Sequence, residues 1–245
     1  MTTTTTIEND MHRAIRSGDR DVVRTLLRCR TDLKDIKNSH GLTPLLAASL
    51  YNQYDMLTDL IVAGADAQAT DTEGCGALHM AMGTKANERV IYELLRHNVQ
   101  INARDLYGRT PLHFAVMIGH ICNAGTLMVA GVDVCAQDKD GLSVLHYAIM
   151  YGRTHIAQAL LIAGADMHAV TVTGRILPLH FAVFFNRAEI VDILLASGAN
   201  VHATDAFGHT ALQVGHKHHP GTDMVRTLEK MYPTDDHLFY FEPHE

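Results

Sequence analysis

Six copies of one phrase stand at a nearly constant interval along the 245 residues: GLTPLLAA, GCGALHMA, GRTPLHFA, GLSVLHYA, GRILPLHFA and GHTALQVG. Their leading glycines are Gly41, Gly74, Gly108, Gly141, Gly174 and Gly208, giving spacings of 33, 34, 33, 33 and 34 residues. A period of this length constrains the fold more than any single motif. Each copy is one supersecondary unit that cannot enclose a core alone and must bury its apolar face against the next copy. An earlier copy without its turn begins at DMHRAIRSGDRDVVRTLL, where Met11, His12, Ala14 and Gly18 align with Leu112, His113, Ala115 and Gly119.

Local chemistry makes each copy a helix pair. Thr43-Pro44 and Thr110-Pro111 place a side-chain oxygen at an N-cap and a preset φ at the first helical position. Gly119 and Gly152 stop that first helix, and a second helix carries apolar residues at three-to-four spacing, as at Ile156, Leu160, Leu161 or Ile190, Val191, Leu194, Leu195. Period and phrase together resemble the ankyrin repeat, with its turn, T-P-L-H-x-A helix, Leu-Leu pair and G-A-D loop. The resemblance covers residues 9–232 and implies an all-α solenoid of stacked helix-turn-helix units with short hairpin-like loops, about seven units counting caps. It leaves residues 1–8 as a flexible Thr-rich tail and residues 233–245 as an acidic and aromatic tail. The Arg-rich helix at 20–28 reads as the front cap.

Three copies depart from the phrase. The second has an extra residue between Met82 and Val90 and opens on Gly76-Ala77, which predicts a looser helix and loop. The fifth inserts one residue before Pro178, putting Leu177 where the capping Thr belongs, and its turn after Gly174 is expected to be distorted. In the last, Gly215 replaces the small Ala and HKHHPG replaces the helix-ending phrase, so order is expected to fall off there.

His12, His79, His113, His146 and His180 occupy one slot per repeat. A catalytic or metal site needs convergence, whereas one imidazole per repeat is spread along the stack. In the family that this chain resembles, that His bonds backbone at the turn, which implies a neutral structural role. His216, His218 and His219 form a less regular group that suits zinc or nickel in type, but no carboxylate or Cys stands at ligand spacing beside it.

Composition narrows the function. The net charge of −7 argues against a general phosphate-binding surface. It is uneven: residues 1–37 hold eight Lys/Arg against six acids, and the acids predominate thereafter. Four scattered thiols, Cys29, Cys75, Cys122 and Cys135, show no CxxC pair and fit a reducing compartment. MTTTTTIEND has no signal-peptide pattern, and no stretch approaches 18 apolar residues, so a cytoplasmic and also nuclear location without membrane contact is expected.

No HExxH, GxSxG, P-loop or GxGxxG motif is present, and neither an enzyme nor a cofactor is expected. The resemblance implies a protein-binding module, adaptor or inhibitor, using the concave face and loop tips; a monomer is expected, and the net charge speaks against nucleic-acid binding. Large apolar residues close the first helices as pairs: Leu50-Tyr51, Met117-Ile118, Met150-Tyr151 and Phe184-Phe185. Such a row suits an apolar peptide or helix, although the same pairs also fit packing against neighbouring repeats. Turn residues from His40 and Leu42 to Phe207 and His209 form the expected rim, with Tyr107, Arg109 and Arg175 as polar anchors. Two other classes stand beside this reading: a subunit of an obligate complex, and a metal-binding protein using His216–His219. The loop VQINARD, with Leu94 eight residues before Asn102, looks like ankyrin-repeat sites that an asparaginyl hydroxylase modifies.

Overall fold

The computed structural model describes residues 2–83 and 88–232. The loop expected to be looser, at 84–87, and the acidic tail at 233–245 lie outside the described residues. The chain divides into two compact units, Met1–Lys139 and Asp140–Glu245. All regular elements among the described residues are helical, apart from one antiparallel bridge, Thr204 to Thr210.

The first unit contains α1 (Thr2–Ser17), α2 (Arg20–Cys29), a 3-10 turn at Thr31–Asp35, α3 (Pro44–Leu50), α4 (Tyr54–Val62), α5 (Ala77–Met82), α6 (Glu88–Arg96), α7 (Pro111–Ile118) and α8 (Ile121–Val129). First helices stack on first helices (α1, α3, α5, α7) and second helices on second (α2, α4, α6, α8), as the repeat demands. Leu45, Leu78 and Leu112, one per repeat, are buried at matching positions, as are Leu60, Leu94 and Leu127 on the second helices. Truncating any of these to Ala costs about 2–5 kcal/mol, because neighbouring repeats close only partly over the void.

Helix ends follow the cap chemistry. Thr43 accepts the Leu46 N–H at 3.3 Å and Pro44 stands at the first helical position. Gly119 ends α7 in the left-handed region at φ +86°, and Asn52 does the same service after α3 at φ +55°, a conformation Asn tolerates better than most side chains. The first helix begins at Thr2, so the Thr-rich start lies in α1 rather than in the expected unstructured run. Its later turn is anchored by the buried Met11, Ala14 and Ile15, and helix propagation from an anchored turn costs little per residue. The front-cap arginines are also engaged: Arg20 and Arg24 both clasp Asp59 of α4, with bonds of 2.6 to 3.1 Å. These bonds hold the Asp59 carboxyl below its ordinary range.

The second unit contains α9 (Val144–Met150), α10 (Thr154–Ile162), α11 (Pro178–Phe184), α12 (Ala188–Ala196), α13 (Ala211–His218) and α14 (Asp223–Glu229), stacked α9, α11, α13 and α10, α12, α14. The guanidinium of Arg187 donates to the Ile149 and Met150 carbonyls at 3.2 and 3.0 Å, satisfying the C-terminal end of α9 with a positive charge. The expected loss of order in the last repeat is corrected. Thr210 and Thr222 cap α13 and α14, and Met224, Val225 and Leu228 are buried. Gly215 is small for a packing reason: a Cβ there would meet Val225 Cγ2 at 3.0 Å and Val183 Cγ1 at 3.3 Å.

The fifth-repeat turn is altered as expected. In regular turns a carboxylate collects the backbone: Asp105 Oδ1 accepts N–H bonds from Tyr107 and Arg109, and Asp205 Oδ1 accepts them from Phe207 and His209. Thr171 takes that place in the fifth repeat. Its hydroxyl accepts from the Ile176 N–H and donates to the Thr173 carbonyl, while Arg175 is held at φ +46° and Leu177 supplies no side-chain cap.

Candidate partner-binding surface

In the second unit α11 turns Phe181, Phe184 and, one residue past its end, Phe185 to one side, a three-to-four spacing that puts all three on one face. From α13, Gln213, Val214, Lys217 and His218 face the same space by the same periodicity, and the turn between Thr204 and Thr210 adds Asp205, Phe207 and His209. With Ile176 and His180 these residues line a cavity of about 520 Å³. Its aromatic walls pack ring against ring: Phe184 lies edge to face 5.2 Å from Phe185 and 5.1 Å from His218, and Phe181 lies tilted 5.4 Å from Phe185. Phe184 is 50% exposed and Phe207 74%, an apolar area that the fold itself leaves uncovered.

The turn at the rim is rigid. Asp205 collects the Phe207 and His209 N–H groups at 2.8 and 2.9 Å, and its own N–H donates to the His209 carbonyl. His180 Nε2–H donates to that carbonyl at 3.0 Å and ties α11 to the turn. His180 is 2% exposed, and burial pushes its pKa down, so the ring is neutral with Nδ1 as an acceptor. That Nδ1 has no hydrogen-bond partner among the described residues. Elsewhere the same atom takes the N–H of the residue three positions earlier: Gly76 for His79, Thr110 for His113 and Ser143 for His146, at 3.1 to 3.2 Å. The inserted residue and Leu177 break this pattern at His180.

The remaining expected residues lie as follows. In each pair one member is exposed and the other half-buried: Tyr51, Ile118, Tyr151 and Phe184 are exposed, while Leu50, Met117, Met150 and Phe185 are half-buried. Of these, the cavity gathers only Phe184 and Phe185. Arg109 serves its own repeat. Its guanidinium bonds the fully buried Asp105 carboxylate at 2.7 to 2.8 Å and lies 4.7 Å from the Tyr107 ring centre and 4.9 Å from that of Phe114. Tyr107 and Arg175 are exposed turn residues outside the cavity. Asn102 is exposed, with its Oδ1 accepting the Asp133 N–H at 2.9 Å.

The histidine row is structural where its bonds are visible. His12 Nε2–H donates to the Leu42 carbonyl, His79 to that of Arg109 and His146 to that of Ile176, each about thirty residues on and so in the next turn. The H-x-H-H group is dispersed. His216 Nε2 lies 3.4 Å from Glu229, His218 packs on Phe184 and His219 Nε2–H donates to the Phe184 carbonyl. Among the described residues no group of three potential metal ligands converges. Likewise no helix among them is long and apolar enough to cross a membrane.

Sequence reasoning missed Phe181, Ile176, Val214, Lys217 and His218 as walls of this cavity. The signal for the first and third is the x position of the L-H-x-A phrase, which runs Met80, Phe114, Tyr147, Phe181 and Val214 and is large in every one of these copies.

A family model described as ankyrin repeats (3 copies) matches residues 45–138, 122–205 and 145–230. Inversin of Gallus gallus is 34% identical over 107 residues, which is 44% of this chain and 10% of that protein. NF-kappa-B inhibitor delta of Mus musculus is 40% identical over 85 residues, 34% of this chain and 26% of that protein. The chain therefore spans a small part of the length of the curated relatives it matches. Among solved structures, the ankyrin repeat domain of Bcl-3, a member of the IkappaB protein family, superposes with a TM-score of 0.79 at 27% identity, covering 90% of this chain and 97% of that one. The human ASB11 ankyrin repeat domain shares the fold with a TM-score of 0.77 at 21% identity, covering 91% and 97%.

Proposed function

The chain belongs to the ankyrin-repeat family, and on that premise we propose that it is a non-catalytic protein-interaction module, an adaptor or inhibitor that binds an apolar, aromatic-bearing peptide or helix. The observation that carries the reading is the aromatic cavity of the second unit, where Phe184 and Phe207 stay open to solvent although the helices around them are fully formed. Exposed aromatics beside a few polar groups are the composition of interface anchors. The exposed Tyr51, Ile118 and Tyr151 extend the reading to the other first helices, with Tyr107 and Arg175 at the turn tips. The unbroken 33-to-34-residue spacing from Gly41 to Gly208 supports residues 9–232 as one array in sequence. The inhibitor reading draws on the name of one relative, an NF-kappa-B inhibitor, and the expected setting is a monomer in the cytoplasm or nucleus.

A crosslinking pulldown tests this with the full chain, a Phe184→Glu variant and a Met117→Glu/Tyr151→Glu variant, each first checked for a native circular-dichroism spectrum and melting temperature. Partners lost with Phe184→Glu support the cavity as the site. Partners lost only with the double variant move it to the other first helices, and partners retained by all three contradict binding through this face.

A further inference from the structure

Consecutive turns are joined by two recurring backbone links. In the first, the N–H of one turn donates to a carbonyl of the turn before it: Leu106 to Glu73 and Lys139 to Tyr107 in the first unit, Val172 to Asp140 and Ala206 to Gly174 in the second, all at 2.8 to 2.9 Å. In the second, the histidine of the preceding helix donates through Nε2–H to a carbonyl three residues further along that next turn, as His79 does to Arg109 and His180 to His209. The turns also approach closely. A Cβ added to Gly41, Gly74, Gly108 or Gly141 would meet a backbone nitrogen of the next turn at 2.7 to 3.1 Å.

The last turn carries the same groups, with no described residue against them. Phe207 holds the carbonyl that corresponds to those of Glu73, Tyr107 and Asp140, and no described N–H donates to it. Gly208 keeps the left-handed φ of +80°, yet a Cβ there would meet no heavy atom of the described residues within 4 Å. In the histidine slot stands Gln213, whose Oε1 takes the Thr210 N–H at 2.8 Å, as histidine Nδ1 does in earlier repeats. That bond fixes which end of the amide is oxygen. Nε2–H is left as the donor in the place of histidine Nε2–H, without an acceptor among the described residues, on a half-buried side chain that borders the cavity.

We propose that this end of the turn stack docks one more turn, supplied by a partner protein: its N–H bonds the Phe207 carbonyl, its carbonyl three residues later accepts from Gln213 Nε2, and its backbone lies over Gly208. Main-chain bonds then carry the affinity, as when a strand is added to a sheet edge. The chain's own turns define the partner's chemistry. At residues 71–75 and 105–109 the leading carboxylate collects two N–H groups and a glycine at positive φ completes the bend, so the matching segment is an exposed Asp-x-x-Gly-x turn. A whole additional repeat does not match, because the exposed residues of α13 and α14 are Lys217, His218, Asp223 and Arg226, which offer a further helix pair no apolar face. Residues 233–245 contain no glycine and so hold no further copy of the turn. The inference goes beyond the peptide-binding cavity, since it invokes a carbonyl, a bare Cα and an amide rather than the aromatic walls.

The test is a titration of the isotope-labelled full chain, followed by amide NMR, with a disulfide-cyclised peptide carrying Asp-Leu-Tyr-Gly-Arg, the sequence of residues 105–109. Saturable shifts confined to residues 206–210 and the Gln213 side-chain amide are expected. Gln213→Glu keeps an acceptor for the Thr210 N–H and removes the donor, so it is expected to hold the melting temperature and weaken binding at least severalfold. Gln213→His, the usual residue of the slot, is expected to restore binding. Phe184→Glu is expected to leave it unchanged; loss of binding in that variant moves the peptide to the aromatic cavity, which overturns turn docking and supports the cavity reading. No saturable shift, undiminished affinity in Gln213→Glu, or equal affinity for a peptide with its leading Asp replaced by Ala overturns turn docking, and the Phe184→Glu pulldown then judges the cavity separately. Shifts at residues 206–210 that appear on dilution of the chain alone assign the site to a second copy and also overturn it.

Discussion

Residues 111–116 and 178–183 are the same hexapeptide, Pro-Leu-His-Phe-Ala-Val, and they end in different surroundings. In the first unit Thr110 donates its N–H to His113 Nδ1, and Arg109 lies over Phe114 while gripping buried Asp105. In the second unit Ile176 and Leu177 stand where Arg109 and Thr110 stand, His180 Nδ1 has no partner among the described residues and Phe181 is part of a cavity wall. The two residues before the hexapeptide, not the phrase itself, decide whether its aromatic and imidazole are engaged by the turn of their own repeat.

Breaking the finished copy should have the largest effect. Asp105→Ala removes the acceptor for two turn N–H groups and the partner of Arg109, and is expected to cost about 4 kcal/mol by urea denaturation, because it strands a part-buried cation. Asp205→Ala loses two N–H bonds without stranding an arginine and should cost about 2 kcal/mol. Equal costs would show that Arg109 contributes nothing to the difference. Leu177→Thr restores a capping oxygen to α11 and should stabilise by about 1 kcal/mol, since the helix now starts with no side-chain cap. If stability does not rise, the inserted residue holds the cap position out of reach.

A smaller effect concerns pH. Burial, the leading cause, holds His79 and His180 below the ordinary 6.5, against the opposing pull of the Arg109 and His209 carbonyls. The unfolded chain therefore takes up protons first as pH falls. Their contribution to stability is complete above about 6.5 and is lost as pH drops through the folded values. Melting temperature followed from pH 8 downward should hold and then decline below that point, with a shallower decline in His180→Gln. The smallest effect is chemical. Cys75 is buried and its thiol is pushed up to about 12, so a thiol reagent should label the exposed Cys29, Cys122 and Cys135 in the native chain and reach Cys75 only on unfolding.

How much of this was legible depends on the range of the interaction. Helix positions and ends follow from contacts within a few residues, such as Thr43 to Leu46, and the repeat displays them six times. The structural role of His79 was legible because its slot recurs. The start of α1 at Thr2 was not, because threonine's weak helix propensity is outweighed once Met11 and Ile15 are anchored. Nor were the reach of Arg20 and Arg24 to Asp59 or of Arg187 to Met150, since those partners lie 35 to 39 residues away with no pattern marking them. For the site, Phe184 and Phe185 stood out as an aromatic pair. The insertion before Pro178 was visible too, but its consequence, an imidazole nitrogen without a partner among the described residues, depends on where the Leu177 N–H ends up in space.

The most direct measurement of the central claim is a random-peptide selection on the full chain with and without Phe184→Glu. The account predicts enrichment of apolar, aromatic-bearing sequences, abolished by Phe184→Glu. Enrichment of an unrelated motif, or of the same motif undiminished by Phe184→Glu, would contradict it.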